Sequence, residues 1–406
     1  MPVSKVSEIH IYPIKSTAGI SLPQAKVEKK GLAFDRRFVL CDPNGQFITA
    51  RTEPKLCLVK TTLFKQGITL SAPNMKSLTL TYSEFSEQYS NVNIWGDEVA
   101  GQVCSSNANQ WVSEYLKRPC SLLFFGANST REKKPNTDQA REVAFADGYP
   151  LLLISQGSLD DLNNKLESNN LSKVSMAQFR PNIVVDNCLA FEEDTWQHIR
   201  IGEVEFTVSK PCERCIFTTV SPETGEKHPQ QQPLQTLSSY RKTHDGEVMF
   251  GQNLIALNTG VIKQGDKLTV LNKQQPPVFN AVEPSNKISI NSPIEVQEKS
   301  SMSESVNNKL TVTFEKWKKT YLIPPQSQRG EADSKTILEH GEDAGLILPY
   351  SCRAGMCGRC KAKLISGEVS PLSIDSLDGL TAQEKEQGYI LCCSTIAKSN
   401  IVIKHN

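Results

Sequence analysis

Residues 351–360 read SCRAGMCGRC, which sets Cys352, Cys357 and Cys360 in a C-x4-C-x2-C run, and Cys392-Cys393 follow in GYILCC at 388–393. Three thiolates on one short loop reach both irons of a [2Fe–2S] rhomb only if the backbone wraps tightly. Ala354, Gly355 and Gly358 leave room for that wrapping and for amide-to-sulfur hydrogen bonds. A distant fourth cysteine then closes the site from a separate element. The spacing is that of a plant-type [2Fe–2S] centre; zinc is the competing reading, from whose usual ribbon spacings this run departs. Alternation along a strand cannot choose between Cys392 and Cys393, because the two face opposite sides.

Around this loop, LPYSCRAGMCGRC and GYILCCSTIAKSNIVI resemble the plant-type ferredoxin domain over 309–406. The resemblance implies a β-grasp fold with ligands Cys352, Cys357, Cys360 and Cys393. The segment IPPQSQRGEADS before a helix expected near Thr336 is longer than the family's. From Lys309 onward there are 13 Lys and Arg against 11 Asp and Glu, a net +2, where plant ferredoxins are strongly acidic. Electron transfer within the chain therefore fits better than docking through an acidic face.

N-terminal to this domain, 273–308 is rich in Pro, Ser, Asn, Gln and Glu and reads as a flexible linker. A coil of its 36 residues spans roughly 30–36 Å r.m.s.. The first 120 residues carry short β-type runs (EIHIYPI, RRFVLCD, QFITART, LVKTTLF, ITLSA, SLTLTYS) that suggest a small barrel or sandwich. A helix is expected over Asn107–Lys117, capped by Asn107. Beyond it, LLLIS reads as a buried strand, followed by a helix capped near Ser158 and a second strand in FRPNIVVD.

Composition narrows the class. The 406 residues are 38% hydrophobic and 22% charged, and 45 Lys and Arg oppose 44 Asp and Glu for a net +1. That supplies no basic field for nucleic acid. No apolar run approaches the ~18 residues of a membrane span, and MPVSKVSEIHIYPIKS lacks a secretory h-region. The expectation is a soluble, cytoplasmic protein without nucleic-acid or membrane partners. Of twelve cysteines, Cys41, Cys57, Cys104, Cys120 and Cys188 are solitary and read as small buried hydrophobes.

The remaining pair, Cys212-Glu-Arg-Cys215, follows FTVSKP at a strand end where Pro211 breaks the ladder. A thioredoxin-like pair should open a helix, whereas IFTTV after Cys215 is β-type. A zinc site would need a second pair of ligands. One thiolate for a soft, high-valent metal is the third reading, with Lys210 and Arg214 favouring the thiolate. The motif alone leaves all three open.

Its surroundings, FRPNIVV and FEEDTWQHIRIGEVEFTVSKPCERCIFTTVSPETGEKHPQQQPLQTLSSYR, resemble the MOSC family, named for the C-terminal domain of molybdenum cofactor sulfurase. IHIYPIKSTAG, FDRRFVL and FITARTEPKL resemble the β-barrel domain that accompanies it. Together they cover roughly 3–272 and point to the amidoxime-reducing components and the bacterial YcbX-type proteins. The resemblance implies Cys215 as the molybdenum ligand, with Cys212 not bound to the metal. It also implies Lys15, Ser16, Arg37, Arg180 and Asn182 at the pterin, with Thr49, Arg51, Asp147 and Ser155 as further candidate contacts. A phosphate and a polar ring call for such charge-assisted donors.

The expected architecture is multidomain and β-rich with α/β parts: an N-terminal β-barrel (1–120), a mixed α/β MOSC domain (121–272), the linker (273–308) and a β-grasp ferredoxin (309–406). The resemblance implies a molybdenum cofactor-dependent reductase of N-hydroxylated compounds. Its electrons would pass from an external flavoprotein reductase through the [2Fe–2S] cluster, since the chain shows no dinucleotide fingerprint of its own. A cofactor or sulfur carrier, and a reductase of another oxo-acceptor such as an S-oxide, are the alternatives.

Overall fold

A computed structural model describes residues 3–133, 141–279, 310–323, 335–346, 348–350, 355, 358–372 and 379–405. The chain divides into two compact units. The first spans Met1–Leu237 and Met249–Val278; the second takes in Ser238–Val248 and Phe279–Asn406. Most of the expected linker, 280–308, lies outside the described residues.

The first unit is organised by an eight-stranded sheet. Its order is Ile20–Ser21, Lys5–Ile11, Ile183–Asp186, Leu151–Ser155, Met249–Ala256, Val204–Glu213, Trp196–Ile201 and Leu268–Lys273. A bridge between Lys5 and Lys267 and a hydrogen bond from Leu268 N to Ser4 O (2.8 Å) join the second strand to the last, curling the sheet into a half-barrel. The N-terminal strand thus pairs with Ile183–Asp186, and the sheet runs across the boundary expected near residue 120. Val6, Ile9 and Ile11 are all buried, which strict alternation forbids. A register shift between Val6 and Glu8 resolves this by turning the strand over once.

Leu151–Ser155 and Ile183–Asp186 run parallel, and the intervening helix Gln156–Ser168 makes the crossover. Its run LLLIS is buried at every position, as a central parallel strand requires. Trp196, Ile199, Ile201, Phe206 and Leu254 fill the core of this layer. The other N-terminal strands form a four-stranded sheet (Phe38–Cys41, Ser121–Phe124, Asp97–Val103, Tyr89–Ile94) and a three-stranded one (Lys60–Phe64, Gly67–Ser71, Leu78–Thr81). The expected strand QFITART makes only isolated bridges, Cys41 with Phe47 and Gln46 with Asn93. The first helix is Ser106–Leu116, capped by Ser105 rather than Asn107.

In the second unit, a five-stranded sheet has the order Lys319–Leu322, Thr311–Phe314, Ile401–Lys404, Lys361–Ser366 and Tyr389–Leu391. Thr311–Phe314 and Ile401–Lys404 are parallel, and the other pairs antiparallel. The helix Ile337–Asp343 starts where expected: Thr336 Oγ1 accepts from Glu339 N while Glu339 reaches back to Thr336 N, closing a capping box. Val312, Phe314, Ile337, Leu338 and Leu391 lie in a core of this unit's own.

Candidate active site

The C-x-x-C pair sits where the longest strand ends irregularly. Val204–Glu213 pairs with Met249–Ala256, and the register shifts twice, between Val208 and Lys210 and between Pro211 and Glu213. Bulges of this kind re-aim side chains beside functional sites. The second shift uses Gly251 at φ +81°, where a Cβ would meet Ile154 Cγ1 at 2.6 Å. Only glycine fits there. Past Glu213 the chain leaves the sheet, and Cys215 caps a one-turn 3-10 helix, Ile216–Thr219. The expected β-type run after Cys215 is therefore replaced by a turn.

Cys212 and Cys215 both line a cavity of about 310 Å³ in the first unit. Six cations border it, Lys15, Arg36, Arg51, Arg180, Lys210 and Arg214, against the carboxylates of Asp147 and Glu213. The two sulfurs take separate guanidinium groups. Arg214 Nη1 donates to Cys212 Sγ at 3.1 Å, and Arg51 Nε donates to Cys215 Sγ at 3.2 Å. Burial pushes the Cys212 thiol up, against the opposing pull of Arg214.

Lys15 donates to Phe145 O (2.8 Å) and pairs with Asp147. Burial lowers its ammonium to about 8, and Asp147 resists that shift. Burial pushes the Asp147 carboxyl up as well, but Lys15 and Arg51 outweigh it and hold the group well below the usual carboxylate range. Ser16 stands beside Lys15 at φ +71° and also lines the cavity.

Arg180, at φ +59°, lies over the Tyr12 ring at 4.0 Å and donates to Thr17 O at 2.5 Å. Burial lowers it to about 10. Burial likewise raises Tyr12 to about 12, although Arg180 and Arg36 pull it down. Asn182 is buried, accepting from Arg36 Nη1 (3.1 Å) and Leu152 N (3.2 Å).

Three candidate contacts, Arg37, Ser155 and Thr49, are not brought to the cavity. Arg37 donates to Glu28 Oε2 at 2.8 Å and is absent from the lining; its neighbour Arg36 stands there instead. The reason is local: Arg36 takes a left-handed φ of +47°, which reverses the facing that extended backbone would give. Ser155 is fully buried, and its Oγ accepts from Ser158 N at 3.0 Å to cap Gln156–Ser168. Leu151, Leu152 and Asn182 line the cavity, so it opens at the beginnings of the two parallel strands. Ser155 ends its strand, roughly 13 Å away at about 3.3 Å per residue. Arg51 and Asp147 do line the cavity, and Thr49 does not.

The donor set fits a phosphorylated, polar-ringed cofactor. It offers a surplus of cations, and the buried Arg214 Nε has no partner among the described residues. A buried donor left unpaired is costly unless a ligand takes it.

In the second unit, Cys360 and Cys393 come together. Cys393 N donates to Cys360 Sγ (3.4 Å), and Gly355 N donates to Cys393 Sγ (3.3 Å). Gly355 and Gly358 take φ of +73° and +74°, and a Cβ on Gly358 would meet Gly379 O at 2.8 Å. Amide-to-sulfur bonds of this kind suit an iron–sulfur cluster. Cys392 instead packs inward, its Sγ 3.7 Å from His405 Nε2. Cys352 and Cys357 lie outside the described residues.

Three family models match parts of the chain. Residues 3–119 match the MOSC N-terminal beta barrel domain, 140–269 the MOSC domain, and 324–398 the 2Fe-2S iron-sulfur cluster binding domain. Mitochondrial amidoxime-reducing component 1 of Mus musculus is 36% identical over 66% of this chain and 83% of its own length. Mitochondrial amidoxime reducing component 2 of Homo sapiens is 38% identical over 65% and 82%. Among solved structures, phthalate dioxygenase reductase is 31% identical over 24% of this chain and 27% of its own, with a TM-score of 0.19. The relatives' names overturn the cytoplasmic expectation, since they are mitochondrial proteins. The cytoplasmic expectation rests on an absence of apolar segments, which does not select a compartment. Among the described residues, no helix is long and apolar enough to cross a membrane.

Proposed function

Because this chain belongs to the family of the mitochondrial amidoxime-reducing components, we propose that Cys215 and the cationic cavity around it form its reducing centre. The protein is a molybdenum cofactor-dependent reductase of N-hydroxylated compounds that also carries a [2Fe-2S] domain for electron transfer. The net reaction takes two electrons and two protons, breaks the N–O bond, and releases the N–H product and water. When bound, the molybdenum cofactor supplies two-electron chemistry and the [2Fe–2S] cluster one electron at a time.

The observation that carries the site assignment is the pairing of Cys215 Sγ with Arg51 inside the cationic cavity. Lys15, Ser16, Arg36, Arg180, Asn182 and Arg214 would hold the cofactor's phosphate and ring by charge-assisted hydrogen bonds. Cys360 and Cys393, joined by Cys352 and Cys357 of the sequence motif, would hold the cluster. We assign electron supply to an external flavoprotein reductase. The relatives' names support a mitochondrial site.

A carrier role is disfavoured by the ferredoxin domain, which cofactor delivery does not need. The test is molybdenum and iron content per chain, together with reduction of a benzamidoxime and of an S-oxide. Molybdenum and two irons, with amidine formation, are expected. Cys215→Ala should lose more than about 100-fold in activity, because disturbing a ligand's supports alone costs 10–100-fold. Cys212→Ala should keep most of it. Equal, complete loss in both variants would point to a redox pair and overturn the ligand assignment.

A further inference from the structure

Arg51 reaches the cavity from the N-terminal barrel domain, 164 residues before the cysteine it touches. Its backbone is pinned in a turn: Arg51 N donates to Thr49 Oγ1 at 3.0 Å, and Glu53 N to Thr49 O at 2.9 Å. The guanidinium lies over the Trp95 ring, 4.7 Å from its centroid. It then divides between two acceptors. Nε points to Cys215 Sγ at 3.2 Å, and Nη2 to Asp147 Oδ2 at 3.0 Å. Asp147 is itself fixed by Trp95 Nε1 (2.8 Å) and Lys15. The Arg51 side chain is only 12% exposed, so its bond to Cys215 is little diluted by water, whereas the Asp147 end of the pair is 52% exposed.

A planar fork can hold a sulfur and a carboxylate together; a lysine ammonium is a point donor without that fixed geometry. An N–H bond to a thiolate draws electron density from the sulfur, and such bonds tune the potential of the metal it binds. Less donation from sulfur favours the reduced metal.

We propose that Arg51 is a positioning residue for the Cys215 thiolate, orienting the sulfur and raising the reduction potential of the molybdenum bound there, with Asp147 as its anchor. The proposal rests on the reading of Cys215 as the metal ligand. It separates Arg51 from the pterin contacts: this arginine acts on the sulfur.

The test compares the full-length holoenzyme with Arg51→Gln, Arg51→Lys and Asp147→Asn, all normalised to molybdenum content. The readouts are the sulfur-to-molybdenum charge-transfer absorption, the midpoint potential followed by the Mo(V) EPR signal, and kcat and KM with a chemical donor. Both Arg51 variants should shift the absorption band and move the midpoint to more negative values. Asp147→Asn should do the same to a smaller extent. The kcat should fall about 10-fold or more, while KM for an amidoxime changes less than about twofold. Arg51→Lys and Asp147→Asn carry the reading should Arg51→Gln lose the metal. An unchanged band and midpoint in the metal-loaded variants overturn the role of Arg51 and leave the reductase reading intact. A wild-type chain without molybdenum overturns both.

Discussion

At the residue scale, the two cysteines of one short motif have been given different surroundings by a few bonds. Cys215 stands off the sheet with Arg51, and Cys212 stays in the bulged strand with Arg214. Glu193 shows the same dependence on neighbours away from the cavity. It is fully buried, and its Oε1 accepts from Ser155 N (3.2 Å) and Ser158 Oγ (2.7 Å), while Oε2 has no partner among the described residues. Burial raises its carboxyl above the ordinary 4.5, against the pull of those bonds. Over the window from 4.5 up to the raised value, the folded state keeps a proton that the unfolded state has released. Stability contributed by Glu193 is therefore full below that window and declines as pH climbs through it. Glu193→Gln removes the titration. Denaturant midpoints measured from pH 4 to pH 8 should fall less steeply in the variant than in the wild type. A wild type that instead gains on the variant as pH rises would show that the carboxyl is not held protonated.

At the element scale, what was legible in the sequence was chemistry carried by near neighbours. The helix start near Thr336 and the apolar run LLLIS each depend on a few adjacent residues, and each is present as expected among the described residues. What was illegible depended on backbone turned over by one residue or on which end of a strand faces the cavity. Arg36 displaces Arg37 through a left-handed φ. Ser155 belongs to the right strand but to its far end, where it caps a helix. The bulges in Lys5–Ile11 and Val204–Glu213 leave no mark in hydrophobic alternation beyond a broken period. The final cysteine pair is a one-residue choice of the same kind. Tyr389–Leu391 ends in a short turn that sends Cys393 toward Cys360 and Cys392 toward His405 in the core. Cys393→Ser should lose or badly perturb the cluster's visible absorption, and Cys392→Ser should retain it with a small loss of stability. Reversed outcomes would mean that the strand end is out of register by one residue.

At the scale of the whole molecule, the question is whether the ferredoxin domain conducts electrons or also builds the site. Among the described residues, every one placed at the cavity lies before Ser221 except Asn253, and the apolar clusters around Ile199, Leu70 and Phe145 draw on nothing beyond Val270. Among the described residues, the apolar cluster around Phe314 draws on residues from Leu310 to Ile403. Truncation after Gln274 should thus leave a protein that retains molybdenum cofactor. It should lose turnover when a flavoprotein reductase is the donor, and keep it when a small chemical reductant reaches the centre directly. Adding the separate ferredoxin fragment should restore weak turnover that rises with its concentration. A covalent link holds a partner at an effective concentration on the order of mM, and a free fragment at μM levels forgoes that advantage. Turnover of full-length, truncated and mixed proteins with both donors decides the matter. A truncated protein that holds molybdenum yet fails with the chemical donor would make the ferredoxin domain part of the catalytic site, because electron supply would no longer be what it lacks.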